Sequence, residues 1–443
     1  MVFQIKGNMA KKIKVIDDIG LDGDIGGEKT MDEIDQNKLE ALKVKLNQKA
    51  EKEQISLRFG IIGAGHAGSR IAEAFYNLGY PAIAFNTATQ DLAHIKLPEG
   101  NKLFTDISLQ GAAKDLTRGE AAALQYRDKI QELIYDKLSQ AQVLILCSSA
   151  GGGSGAGSLP TLIDICNSTG KPIVLISILP MVSEDSKTKS NSLETVAKLA
   201  GYIKEGKAHS FILIDNAKIE SLQSGISEME FYGVANKIIV EPLDVFNKYS
   251  MLPSQVKALD SAEWATLLLN SGGISTYGQI IIGDYAEDTS IAEAVVGSLQ
   301  KNMLAGGLDY KQARYVGYIV IANKEVWNKI PAGAINYANA MINDIFGNPE
   351  ATYKGIYEAD IPENAIKIYT FVSGLGVPVE RMSGLKKDID VQQQNLKVKD
   401  DDRSKKLTVD LGKSDVVSDV EKIKQKIRSN MSGLGKLTGM PKK

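Results

Sequence analysis

The sequence predicts an α/β protein in which a parallel-sheet domain is joined by a long central helix to a smaller α/β domain. Three features carry this reading. Strand-like and helix-like runs alternate from Leu57 onward, the pattern of parallel strands with helices on both faces. Two glycine-rich loops each follow a strand-like run and open a helical one. A long helical pattern at 227–249 separates the first alternating half from a second.

Taken in order, residues 1–56 read as an N-terminal extension. Positions 30–54 have the pattern of a charged helix with a thin apolar stripe of Met31, Ile34, Leu39, Leu42 and Leu46. Such a helix either lies solvated on the globule or docks onto a neighbouring subunit. Residues 57–226 form the first domain, with strand-like runs at 57–62, 82–86, 143–147, 173–178 and 211–214 and helical patterns at 69–78 and 118–140. Residues 227–264 hold the central helix, which Pro242 is expected to kink or break, and an acidic segment after it. Residues 265–382 form the second α/β domain, with strands near 277–282, 315–321 and 365–372 and helices near 290–304 and 332–346. Residues 383–443 are polar and charge-dense and read as a flexible tail, whose end from Val416 has the pattern of a basic amphipathic helix.

Bulk composition narrows the function classes. The chain has 443 residues, of which 43% are hydrophobic and 24% charged, the balance of a globular protein with a sizeable core. A formal net charge of −2 argues against a wholly basic nucleic-acid coat. The two cysteines, Cys147 and Cys166, lie in apolar stretches and read as reduced core thiols. No apolar run reaches the roughly 18 residues of a membrane span, and no secretory h-region is apparent, so a cytoplasmic protein without a membrane partner is expected. The three histidines, His66, His94 and His209, have no metal-ligand spacing, so no metal-binding residues are expected.

The first loop reads Gly63-Ala64-Gly65-His66-Ala67-Gly68-Ser69. Glycine lets backbone approach a phosphate, and helix N-terminal amides point at negative charge. By itself this spells the dinucleotide fingerprint G-x-G-x-x-G. A nicotinamide cofactor would want an acid at the end of the second strand, and Asn86-Thr87 stand there instead. The second loop, Gly151-Gly152-Gly153-Ser154-Gly155-Ala156-Gly157, places five glycines in seven residues between a strand and a helix. It is a cup of backbone amides suited to anions, and Ser154 adds a hydroxyl. Neither loop has the lysine of a Walker motif, so phosphates are expected to be held by backbone amides. A bulky residue at Gly153 is expected to block their approach.

On this second loop the chain resembles the tubulin/FtsZ superfamily, whose signature is GGGTG[TS]G, and the order and spacing of motifs agree over about 57–377. The resemblance implies a tubulin/FtsZ-like fold that binds GTP or GDP with Mg²⁺. It implies a first phosphate loop at Gly63, Gly65, His66, Ala67 and Gly68, and contacts beside nucleotide and magnesium from Asn86, Thr87 and Gln90. A γ-phosphate-sensing loop falls at Gly111-Ala112-Ala113, and the signature loop at Gly151, Gly152, Gly153, Ser154, Gly155, Ala156 and Gly157. Pro180 and Glu184 fall at the ribose-contacting loop, and Asn216 and Asn236 at the two guanine contacts. An amide side chain carries both a donor and an acceptor, as the guanine edge demands.

The segment Lys257-Ala258-Leu259-Asp260-Ser261-Ala262-Glu263 resembles the family's catalytic N-x-D-x-x-D, with Asp260 and Glu263 at the acidic places and Ala258 where the Asn would stand. The resemblance implies that these acids polarise water at the nucleotide of the next subunit in a head-to-tail filament. Three residues apart, they also read as an ordinary helix start. The basic C-terminal end and the absent Asn look most like the plasmid and phage tubulin-like proteins, the TubZ/PhuZ group. That group implies a GTPase filament that segregates or positions DNA, either directly through the tail or through a DNA-binding adaptor. The alternatives are an FtsZ-type division GTPase and, more remotely, an NAD(P)-dependent oxidoreductase.

Overall fold

A computed structural model of the chain describes residues 54–105, 111–223, 225–283, 287, 289–331, 333–361, 365–407 and 421–426. The helix expected at 30–54 and most of the basic C-terminal end lie outside the described residues.

From β1 (Phe59–Ala64) the chain runs through α1 (Gly65–Asn77), β2 (Ala82–Asn86), α2 (Thr89–Ala93) and β3 (Lys102–Phe104). Then come α3 (Leu116–Gln125), α4 (Arg127–Leu138), β4 (Val143–Ser149), α5 (Gly153–Ser168), β5 (Ile173–Leu179), α6 (Ser186–Lys204), β6 (Ser210–Asp215) and α7 (Asn216–Leu222). The central helix α8 (Glu228–Tyr249) and α9 (Ser261–Leu269) lead into β7 (Ile274–Ile282), α10 (Ser290–Lys301), β8 (Tyr315–Ala322), α11 (Lys324–Trp327) and α12 (Ala334–Phe346). The chain continues through β9 (Ala351–Glu358) and β10 (Ile366–Leu375) to α13 (Val379–Leu407).

All ten strands form one sheet, ordered β3-β2-β1-β4-β5-β6-β7-β10-β8-β9. Pairing is parallel from β3 to β7, antiparallel on both sides of β10, and parallel again between β8 and β9. Between the halves, β6 and β7 share only the pairs Phe211↔Ile274 and Ile212↔Ser275. Alternate strand residues feed opposite faces. Ile62, Leu144, Leu146, Leu175 and Leu213 pack in one core, and Ile61, Ile145, Val174, Ile176 and Ile214 in the other. Cys147 and Cys166 are free and buried, and burial pushes both thiols well above their ordinary range.

Three expectations need correction. The central helix does not break at Pro242. Proline removes the bond to the carbonyl four residues back. The carbonyl that loses its donor is that of Ile238; its neighbour, the Ile239 carbonyl, accepts from the buried Tyr277 hydroxyl at 2.6 Å, which ties this turn to β7. The helix expected over 118–140 is two helices that meet at Tyr126. The charged tail does not begin at 383, because α13 runs to Leu407 and buries Leu385 and Ile389. Its Arg381 guanidinium donates to both carboxylate oxygens of Asp215, at 2.7 and 3.1 Å, and to the Pro180 carbonyl at 2.9 Å. Its Asp388 accepts from Lys189 at 3.0 Å, a lysine 1% exposed in its side chain. Among the described residues no helix is long and apolar enough to cross a membrane.

Candidate functional site

Because β1, β2, β4, β5 and β6 are parallel, their carboxyl ends open on one edge, where α/β sheets bind ligands. A cleft of about 920 Å³ lies there. Gly65, His66 and Ala67 line it after β1, Asn86 and Asp91 after β2, and Ser149, Gly152, Gly153, Ser154 and Gly155 after β4. Ile178 and Glu184 come from β5 and its loop, and Asn216 from the start of α7. One face of α1 (Arg70, Glu73, Ala74, Asn77) and the first turns of α8 (Tyr232, Gly233, Ala235, Asn236) form the far wall. Gly151 and Pro180 line a smaller pocket beside it, together with Lys114, Glu184 and Asn216.

The loops are tied to one another. The Thr87 and Ser154 hydroxyls are 2.5 Å apart, the Gly111 amide donates to the Thr87 carbonyl at 2.8 Å, and the Asn86 side chain donates to Asp91 at 2.8 Å. His66 Nδ1 sits 3.3 Å from the same Asp91 carboxylate. The buried Asn191 of α6 donates to the carbonyls of both Lys114 and Gly151, at 2.7 and 3.1 Å, and so clamps two phosphate-side loops together.

Several of the expected glycine contacts have a packing role instead. Gly63, Gly68, Ala156 and Gly157 do not line the cleft. A Cβ on Gly68 would lie 2.0 Å from the Cys147 carbonyl oxygen, one on Gly63 2.5 Å from the Gly68 carbonyl oxygen, and one on Gly157 2.2 Å from the Leu116 carbonyl oxygen. A Cβ on Gly153 would lie 2.7 Å from the Asp115 amide, so a bulky residue there disturbs the 111–115 loop before it meets any phosphate. Gly152 is the cleaner probe, because its Cβ would meet only the rotatable Ser149 hydroxyl, at 2.6 Å. In urea titrations Gly68→Ala should lose about 1–3 kcal/mol of stability without ligand, the usual scale of overpacking. Gly152→Ala should stay within about 0.5 kcal/mol of the parent and lose its affinity for nucleotide instead. The reverse pattern would assign the second loop to packing alone.

Gln90 and Ala112 also lie outside the cleft, Gln90 exposed and Ala112 buried under Gly153. Asp260 and Glu263 stand elsewhere as well. Asp260 caps α9, accepting from the amides of Ala262 and Glu263 at 2.9 and 2.8 Å, and Glu263 returns to the Asp260 amide at 3.1 Å. This is a complete capping box, and Asp260 is exposed.

Residues 58–223 match the GTPase domain of the tubulin/FtsZ family, and residues 249–386 match the C-terminal domain of TubZ-like tubulin/FtsZ-like proteins. The chain belongs to the tubulin/FtsZ family. It is 27% identical to the tubulin-like protein TubZ of Bacillus cereus over 359 residues, 73% of this chain and 80% of that one. It is 26% identical to cell division protein FtsZ 2 of Haloferax volcanii over 265 residues, 58% of this chain and 61% of that one. Among solved structures it resembles a GTPγS-form protofilament of Bacillus thuringiensis serovar israelensis TubZ, with a TM-score of 0.69, 20% identity, and coverage of 80% of this chain and 96% of that one. This tubulin/FtsZ-family GTPase therefore carries its cleft where the α/β rule puts it.

Sequence reading missed Arg70, Glu73, Asn77, Asp91, Lys114, Ser149 and Tyr232 at the cleft. A signal existed for some of them. Arg70, Glu73 and Asn77 recur at helical spacing on the helix that the first glycine loop opens, so one face of it must follow the ligand.

Proposed function

We propose that this chain binds GTP in the cleft, polymerises head to tail with copies of itself, and hydrolyses GTP where two subunits meet. The placement of carboxylates is the observation that supports this. Those lining the cleft are committed within the chain: Asp91 to Asn86, Glu73 to Arg70, and Glu184 to the Met181 amide. Asp260 and Glu263 stand outside it on a helix start, and the nearby Val256 and Met251 are 72% and 40% exposed, as a subunit contact would require. In a head-to-tail polymer these acids would reach the next subunit's nucleotide and position the attacking water. The protofilament form of the Bacillus thuringiensis relative supports the same reading.

Asn216 and Asn236 would read the guanine edge, and Tyr232, one turn before Asn236 and 56% exposed, would stack on the base. Gly65, Ser154 and the amides of Gly152, Gly153 and Gly155 would hold the phosphates. Mg²⁺ would sit beside Asn86 and Thr87, held chiefly by phosphate oxygens and water, the usual pattern for that ion. The match to a TubZ-like C-terminal domain favours the segregation or positioning of plasmid or phage DNA in the cytoplasm over FtsZ-type division. The basic C-terminal end would engage DNA or a DNA-binding adaptor.

The test is base choice together with assembly. Wild type should scatter light with GTPγS and not with ATP or NAD. Asn216→Ala should weaken GTP binding by about 1–3 kcal/mol, the cost of leaving a buried polar edge unpaired, with a smaller change for ATP. Equal wild-type affinity for ATP and GTP would reject the guanine assignment.

A further inference from the structure

The phosphate end of the cleft holds one cation that the glycine motifs do not anticipate. Lys114 lines it beside Gly152 and Gly153, and its ammonium forms an ion pair with Asp185 at the rim. Arg70, the other strong base lining the cleft, lies on the second turn of α1, in the wall that α1 forms with α8, and is committed to Glu73 and the His94 carbonyl. The backbone that presents Lys114 is unusual. Gly111, Ala113 and Lys114 have φ of +86°, +49° and +60°, and the last two are side-chain-bearing residues in the left-handed region. Such strain persists only where the surroundings over-determine it. Here Asn191 holds the Lys114 carbonyl, Thr87 the Gly111 amide, and Ala112 the Asp115 amide. The lysine is thus aimed by a locked loop while its side chain stays about half exposed.

We propose that Lys114 is the residue that distinguishes GTP from GDP, its ammonium leaving Asp185 for the terminal phosphate when the triphosphate enters. This rests on the reading of the cleft as a GTP site and deepens it. Asp185 is suited to be a parking place. Its Oδ1 also accepts from the Thr188 amide at 2.9 Å and caps α6, so it keeps a partner when the lysine departs. Partial burial pushes its carboxyl up, but the Lys114 ammonium and the Thr188 amide and hydroxyl outweigh burial and hold it at about 2, so it is charged and competes for the lysine at every physiological pH. A terminal phosphate offers more charge than one carboxylate, and a diphosphate ends short of it. Backbone amides, being neutral, cannot make this distinction as strongly.

The experiment measures GTPγS and GDP affinity, with Mg²⁺ at fixed salt, for the full chain and three variants. Lys114→Gln should lose about tenfold or more for GTPγS, the scale of one charge-assisted contact, with GDP changed by less than about twofold. Lys114→Arg should retain the preference. Asp185→Asn keeps a good helix cap and removes the competing charge, so it should bind GTPγS more tightly than the parent at unchanged GDP affinity. An equal loss for both nucleotides in Lys114→Gln, or no change in either variant, overturns the assignment while leaving the GTP site standing. A wild-type chain that binds neither nucleotide overturns both.

Discussion

Asp260→Asn should bind GTP as tightly as the parent chain and hydrolyse it on the order of 10²–10⁴ more slowly, the usual worth of a group that positions or activates water. Asparagine is the informative replacement because of the capping box. Asp260 accepts from two backbone amides at the head of α9, and alanine would lose about 1 kcal/mol of helix capping together with the charge. Asparagine caps nearly as well, so a slowed reaction reports on the charge. Binding should be untouched, since Asp260 does not line its own chain's cleft. Filaments of the variant should persist after wild-type filaments have turned over, and the wild-type rate per molecule should climb with protein concentration. Turnover at the parent rate by the asparagine variant, or a rate per molecule independent of concentration, would return Asp260 to its structural role alone.

Arg381→Ala should destabilise the whole chain by about 3–5 kcal/mol, because it leaves a buried carboxylate without its counter-ion. Asp215 is 3% exposed and takes both of its strong bonds from this one guanidinium. It also precedes Asn216 and caps α7 through the Ala217 amide at 3.1 Å, so nucleotide affinity should fall in parallel. Removing residues after Leu407 should cost little, whereas ending the chain at 382 would also strip Lys189 of Asp388 and take the buried Leu385 and Ile389 out of the core. Urea unfolding curves would settle it, and a loss below about 1 kcal/mol for Arg381→Ala would show that water reaches Asp215.

The sequence made the central strands legible because they are continuous apolar runs between glycine loops. It hid β9, Ala351–Glu358, whose first half is only partly buried and which contains Lys354 and Gly355, because an edge strand has one neighbour and tolerates polar residues. It hid the docking of α13 for a related reason. Met382, Leu385 and Ile389 are a short stripe in a long charged segment, and much of the attachment is ionic, through Arg381 and Asp388. Charges in sequence read as solvated until their partners, here Asp215 and Lys189, are seen to be buried.

At the site, the glycine loops could be found by pattern, but the reason for each glycine could not. Gly68 and Gly157 are needed where backbones nearly touch, and only the crossing of α1 over β4 and of α5 over α3 reveals it. Lys114 escaped because the sequence offers no Walker lysine, and nothing in the local pattern shows a left-handed pair of residues turning a side chain toward a distant loop. Asn191 escaped because a polar residue inside a helix ordinarily faces water.

The two-pair contact between β6 and β7 also has a mechanical meaning. Eight residue pairs join β10 to β8 and eight join β8 to β9, whereas two join the halves of the sheet, helped by the Asp215 amide on the Leu304 carbonyl at 2.8 Å. The backbone ladder is therefore at its shortest where the two halves of the sheet meet. Side chains join the halves where the ladder does not: both apolar layers run across the junction, and Arg381 and Asp388 of α13 reach back to Asp215, Pro180 and Lys189. The spacing between the acid-bearing start of α9 on one half and the nucleotide cleft on the other thus depends on side-chain packing, which one substitution can loosen, rather than on a long backbone ladder.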